Sequence, residues 1–154
     1  MRDTPEVKEI AVLAAAAAVV GVPAAAAPPL VPPFIQGLVA KRAGATAYVP
    51  TRAPLRYAYA SYTWDGVRRS LTLRLVDRRY ANRGAHTITF AARPFQGDCA
   101  RGNEKGFQVD GNRTYSANGL AWRCLNGVKL SAAGQNLPEV ALAQVVASAK
   151  RVRL

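Results

Sequence analysis

The chain is 154 residues long and half hydrophobic, with 21 Lys and Arg against 9 Asp and Glu, one His, two Cys and a formal net charge of +12. That length holds one domain with an appendage, and two Cys with one His cannot supply the four side chains of a structural zinc site. So positive a chain repels basic partners and attracts phosphates, anionic lipid or acidic polymers, although scattered arginine also serves solubility alone.

The first feature along the chain is "IAVLAAAAAVVGVPAAAAPP", inside a run of 31 residues without a charge between Glu9 and Lys41. Pro23, Pro28, Pro29, Pro32 and Pro33 would break a buried helix there repeatedly. The 13-residue apolar run Ile10 to Val22 suits the core of a secretory signal better than a full membrane span. Ala24 and Ala26 then fill the two small-residue slots of a signal-peptidase site that cuts after Ala26. Against this, Arg2 and Lys8 are mixed with Asp3, Glu6 and Glu9, and Lys41 and Arg42 lie on the far side, where the positive-inside tendency favours the cytoplasm. A cleaved or anchored export segment, an inward-facing anchor and a soluble Ala/Pro tail all remain open. Export is the expectation carried forward. It makes residues 1–27 a signal peptide or N-terminal membrane anchor, 28–47 a Pro/Ala-rich tether and 48–154 the folded domain.

From "YVPT" onward the apolar pattern has period two, the mark of half-buried strands. "LRYAYASYTW", Asp65-Gly66 and "VRRSLTLRLV" predict a hairpin with a two-residue turn, pairing Trp64 with Val67, Tyr62 with Arg69, Ala60 with Leu71 and Ala58 with Leu73. That register gathers Trp64, Tyr62, Ala60, Ala58, Val67, Leu71, Leu73 and Leu75 on a core face. It leaves Tyr57, Tyr59, Thr63, Arg68, Thr72 and Arg74 on a wet one. "AHTITFAA" is a third strand, followed by a long polar loop carrying Cys99. "FQVDGNRTY" folds back at Asp110-Gly111, and the chain turns again over Ser116 to Gly119. For "LAWRCLNGVKL" a three-residue loop, Leu125-Asn126-Gly127, is preferred over a two-residue Asn-Gly turn. It pairs Cys124 with Val128 and Trp122 with Leu130, all four on the core side. The last element is a helix in "NLPEVALAQVVASAKRV", with Pro138 in its first turn, a stripe of Leu142, Val145, Val146, Ala149 and Val152, and Lys150 and Arg151 in its last turn. The expected fold is α+β: a curved antiparallel sheet of about six or seven strands built from hairpins, packed against one C-terminal helix and preceded by the apolar leader.

Cys99 and Cys124, 25 positions apart, form no metal-type pair. In an exported domain they are most simply a disulfide, with two separate thiols as the other reading. Asp98, Glu104 and Asp110 match no calcium-loop spacing and read as a solvated acidic edge. His86 aligns with Ile88 and Phe90 as an inert strand-end histidine. No nucleophile elbow, phosphate loop or dinucleotide glycine pattern is present. Asn112 begins an N-x-T sequon, read as an exposed turn. No catalytic residue, metal ligand or cofactor is therefore expected.

"YVPT" at the opening, "DGNRTY" before "AWRC", the return strand "NGVKLSAAG" and the closing "LAQVVASAK" together resemble a family. It is the domain of unknown function found outside the membrane at the C-terminus of some anchored bacterial anti-sigma factors and lipoproteins. The likeness runs from Tyr48 to about Arg151, with Leu142, Ala143, Val146, Ala147 and Ser148 matching its last-helix pattern. It implies a curved sheet with a packed helix, displayed on a tether and lacking catalytic residues. Nine residues before the apolar run leave no room for sigma-binding helices, and "APLRY" replaces the family's Gly-aromatic step.

The resulting expectation is a non-enzymatic exported or membrane-tethered domain that binds a ligand or protein partner at the cell envelope. The other expectation is a basic domain binding nucleic acid, an anionic polymer or an anionic lipid surface through Tyr57, Tyr59, Arg68 and Arg74, which alternate aromatic and cationic groups.

Overall fold

The structure is a computed structural model that describes residues 28–80, 86–100, 102 and 104–154. The leader or anchor expected over residues 1–27 lies outside them. No helix among the described residues is long and apolar enough to cross a membrane.

Seven strands form one antiparallel sheet: β2 (Tyr57–Asp65), β3 (Ser70–Asp77), β4 (Thr87–Pro94), β5 (Lys105–Val109), β6 (Asn112–Ala117), β7 (Leu120–Leu125) and β8 (Val128–Gly134). Their spatial order is β2-β3-β4-β8-β7-β6-β5, an open sheet with β2 and β5 at its edges. Three tight turns at Asp110-Gly111, Asn118-Gly119 and Asn126-Gly127 build the β5–β8 meander. All six turn residues have positive φ, which Asn, Asp and Gly adopt most readily and which matches the twist of a two-residue hairpin.

Helix α1 (Pro33–Ala43) and helix α2 (Glu139–Ala147) belong to the same core as one face of this sheet. Leu71, Leu73, Leu75, Ile88, Phe90 and Leu130 meet Leu142, Val145 and Val146 there, all with at most 1% exposure. Each such side chain stabilises the fold by about 1.5–3 kcal/mol relative to exposure. The segment expected to be a tether is thus folded from about Leu30, because Val31, Val39 and Ala43 are buried in the core. The prolines do not oppose this: Pro32 caps α1 and Pro33 stands in its first turn, where no helical N–H is lost.

The segments before and after the seven-stranded sheet meet in a two-stranded ladder between β1 (Tyr48–Val49) and β9 (Lys150–Arg151). Lys150 and Arg151 therefore do not extend α2 as expected; the helix stops at Ala147. Ser148 terminates it, with its Oγ donating to Val145 O (2.8 Å) and accepting from the backbone N–H groups of Thr51 and Arg52 (3.1 Å each). Thr51 Oγ1 donates to Ser148 O (2.8 Å) in return. The opening "YVPT" and the closing "VASAK" are thereby one structural unit.

Two registers differ from expectation. The β2–β3 loop spans Gly66 to Arg69, four residues rather than two, pairing Trp64 with Leu71 and Tyr62 with Leu73. Asp65 Oδ1 caps this wider turn by accepting the N–H groups of Val67 and Arg68, and Arg69 takes positive φ. Val67, expected in the core, is 94% exposed. The β7–β8 turn has two residues rather than three, so Cys124 faces Lys129 and Trp122 faces Ser131. Trp122 and Cys124 consequently lie on the face away from the helices, and Arg123 lies beneath α2.

Candidate ligand-binding face

The helix-free face of the sheet is assembled by alternation. Thr72 and Arg74 of β3 lie beside Thr89, Ala91 and Arg93 of β4. These adjoin Lys129, Ser131 and Ala133 of β8, then Leu120, Trp122 and Cys124 of β7, and Arg113, Tyr115 and Ala117 of β6. Small side chains fill the centre and larger ones gather at one end.

At that end the loop after β4 folds over the sheet. The Cys99–Cys124 disulfide, expected from the sequence, ties it down. Trp122 Nε1 donates to Cys99 O (2.8 Å), and Phe95 N–H donates to Gly127 O (2.9 Å). Beneath the loop Trp122 is 3% and Lys129 4% exposed. The Lys129 ammonium lies 5.1 Å from the Phe95 ring centre and 5.4 Å from that of Trp122, within cation–π range. Arg93 lies 5.6 Å from the Phe95 ring centre, and Arg113 lies 5.8 Å from that of Tyr115. The Arg113 guanidinium also lies against Gly106 of β5, where an added Cβ would come within 3.3 Å of it.

The opposite end is open. Arg74, Thr87, Thr89, Asn118, Gly119, Ala133, Gly134 and Gln135 line a shallow trough of about 540 Å³. Its polar groups are hydroxyls, amides and one guanidinium, whose Nη1 donates to Ser61 Oγ at 3.3 Å.

The four residues expected to form a Tyr/Arg face are divided. A bulge at Ala60 between Tyr59 and Ser61 reverses the alternation of β2, so Tyr57 and Tyr59 pack against the core with Tyr62 and Trp64. Burial holds both hydroxyls above the usual phenol pKa, with Asp77 adding to the effect at Tyr57 and Tyr62 at Tyr59. Arg68 sits in the β2–β3 turn. Only Arg74 reaches the helix-free face. Arg93 and Arg113 do not stand out in the sequence; the β4–β8 register sets Arg93 opposite Lys129.

His86 stacks on Tyr80, ring centres 3.9 Å apart, rather than joining the strand. Asp110 is engaged by Arg52 at 2.9 Å. Asn112 uses its amide N–H to cap Ala147 O of α2 (3.3 Å), so the sequon lies in a half-buried contact rather than a free turn. Among the described residues no three His, Cys, Asp or Glu side chains cluster as metal ligands would. Compared with known proteins, the chain matches no family model, no curated protein and no solved structure.

Proposed function

We propose that this chain is a non-enzymatic binding domain that works outside the cytoplasm, exported or tethered through its N-terminal segment, and takes its partner on the helix-free face of the sheet. The observation that carries this reading is the Cys99–Cys124 bond, which holds a loop over one end of that face and leaves the other end open. Disulfides persist in oxidising compartments, which accords with the signal-like Ile10 to Val22 run. The resemblance of "YVPT" and "VASAK" to a displayed envelope domain supports the same reading. A large sheet face bearing small polar side chains and no helix cover is the surface left for a partner.

The test is intact mass on protein recovered from its native host, alkylated with and without prior reduction. The expected result is a shortened N-terminus or a membrane-fraction chain, no adduct before reduction and two after it. A full-length cytosolic chain with two adducts before reduction would sink the proposal.

A further inference from the structure

We infer that the end of the molecule where the chain enters the fold rests on an anionic membrane surface, with Phe34 and Leu55 at the acyl boundary and Arg56 and Arg78 on lipid phosphates. This docking surface presupposes the tethered form of the reading above, and it lies apart from the helix-free face.

Chain length holds this end near a bilayer. Val31 is already buried in the core, so an anchor ending at Val22 leaves eight residues, 23–30, before the fold. Fully extended, they span at most about 30 Å. The longer tether expected over residues 28–47 would have let the domain stand well clear of the surface. Pro28, Pro29 and Leu30 line a groove of about 380 Å³ with Ala53, Tyr57 and Arg78. That fixes the entry point at the open end of the β2–β3 hairpin, where β2 starts and β3 stops. Helix α1 then runs toward the hairpin turn, since Thr46, just beyond the helix, has its hydroxyl 3.5 Å from Arg69 O.

The side chains at the entry end have the chemistry of a membrane boundary. Phe34, in the first turn of α1, is 76% exposed, and Leu55, in the turn from Pro54 to Tyr57, is 84% exposed. Arg78 N–H donates to Arg56 O at 3.0 Å, so these two arginines are neighbours across the hairpin end. Both are exposed, and neither has a carboxylate partner among the described residues. The described carboxylates are engaged or distant. Asp77 is held by Arg79 and Asp110 by Arg52, Asp65 caps the far turn, and Glu139 accepts from Ser116 Oγ. Asp98 and Glu104 belong to the disulfide-held loop. Large apolar side chains held in water at the same end as unopposed cations suit the headgroup region of an anionic bilayer. A soluble protein partner fits less well, because two such side chains cover far less area than a stable interface needs. Lipid contact needs little area when an anchor already holds the chain at the surface, where one hydrophobic segment and a basic patch act together.

The test uses the full chain with vesicles of phosphatidylcholine alone or mixed with phosphatidylglycerol. Phe34, Leu55 or Val67 is replaced in turn by the photoreactive p-benzoylphenylalanine; Val67 is the control, being exposed at the opposite end of the hairpin. On illumination with the mixed vesicles, mass spectrometry should find lipid adducts at positions 34 and 55 at least about tenfold above those at 67. Neutral vesicles should give far fewer. Arg56→Glu/Arg78→Glu should lower the yield at position 34 at least about fivefold, the effect of one surface arginine on anionic lipid. Arg42→Glu/Arg68→Glu, the same charge change at the other end, should alter it less than about twofold. Adducts equal at all three positions or absent from all, chain-to-chain dimers in place of lipid adducts, equal yields on neutral vesicles, or equal losses in the two double variants would each overturn the inference. The three-position comparison does not depend on how the double variants fold. Missing lipid adducts on a chain that is oxidised and exported in its host sink the docking surface alone. Free thiols and cytosolic retention sink the export reading and leave the vesicle result readable.

Discussion

Asp77 is 3% exposed, and its carboxylate accepts the Arg79 backbone N–H (3.0 Å) and two guanidinium N–H groups (3.2 and 2.9 Å). The Arg79 side-chain hydrogen bonds hold its carboxyl below the usual carboxylate range, against the opposing effect of burial. Because the folded pKa lies below the unfolded one, the stabilisation is fully present above about pH 4 and fades as pH falls through the folded value. Urea unfolding followed from pH 5 down to about pH 2 should therefore lose stability more steeply in the parent than in Asp77→Asn. Identical slopes would show that the contact carries no linked proton. Arg123 is the opposite case. It lies 7% exposed beneath α2, Nη1 reaching Ala147 O at 3.3 Å while Nε has no partner among the described residues. Burial works against its charge. Neither residue stood out in the sequence. A strand aspartate followed by arginines reads as surface, and whether Arg123 faces in or out depends on a turn one residue long or short.

Register explains which parts of each element were legible. In the β2–β3 hairpin the true loop is two residues longer than Asp65-Gly66 suggested. That moves the pairing by an even number, so Leu71, Leu73 and Leu75 stay on the face the alternation gave them. In β7–β8 the expected and observed loops differ by one residue. An odd slip sends Trp122 and Cys124 to the other side while Val128 and Leu130 stay in the core. The three-residue loop was attractive because it collected every apolar residue on one face. That reasoning fails here because the disulfide loop gives this end of the sheet a second cover. The Ala60 bulge is the other odd step, and nothing in "YAYASYTW" announces it. It turns Tyr57 and Tyr59 inward alongside Tyr62 and Trp64. Deleting Ala60 should leave both tyrosines facing the core, because Ser61 then follows Tyr59 in regular alternation, and should cost no more than about 1 kcal/mol in chemical denaturation. Ala60→Ser, at an exposed position, should stay within about 0.5 kcal/mol of the parent. A loss of several kcal/mol on deletion would show that the extra residue does more than reverse the alternation.

Across the whole molecule, apolar cover is provided twice, by two helices on one side and by a disulfide-held loop at one end of the other. The sheet, α2 and the cysteine pairing were all legible, since each rests on local alternation, a helical stripe or a simple count. The place of α1 was not, because alanine and proline composition resembles a linker until the partners of Val31 and Val39 are known. Cys99→Ser/Cys124→Ser should lower stability by about 3–4 kcal/mol, the entropy of a loop with the observed separation of 25 residues. In a Trp64→Phe background the remaining indole emission should shift to the red as Trp122 gains water. An unchanged spectrum would mean that the loop stays seated without its bond. The β1–β9 ladder joins positions about a hundred residues apart. A chain made from its N-terminus therefore waits for Lys150 and Arg151 before the "YVPT" strand finds a mate, and a nascent copy stopped just short of Lys150 would leave both that strand and the seam beside it unsealed.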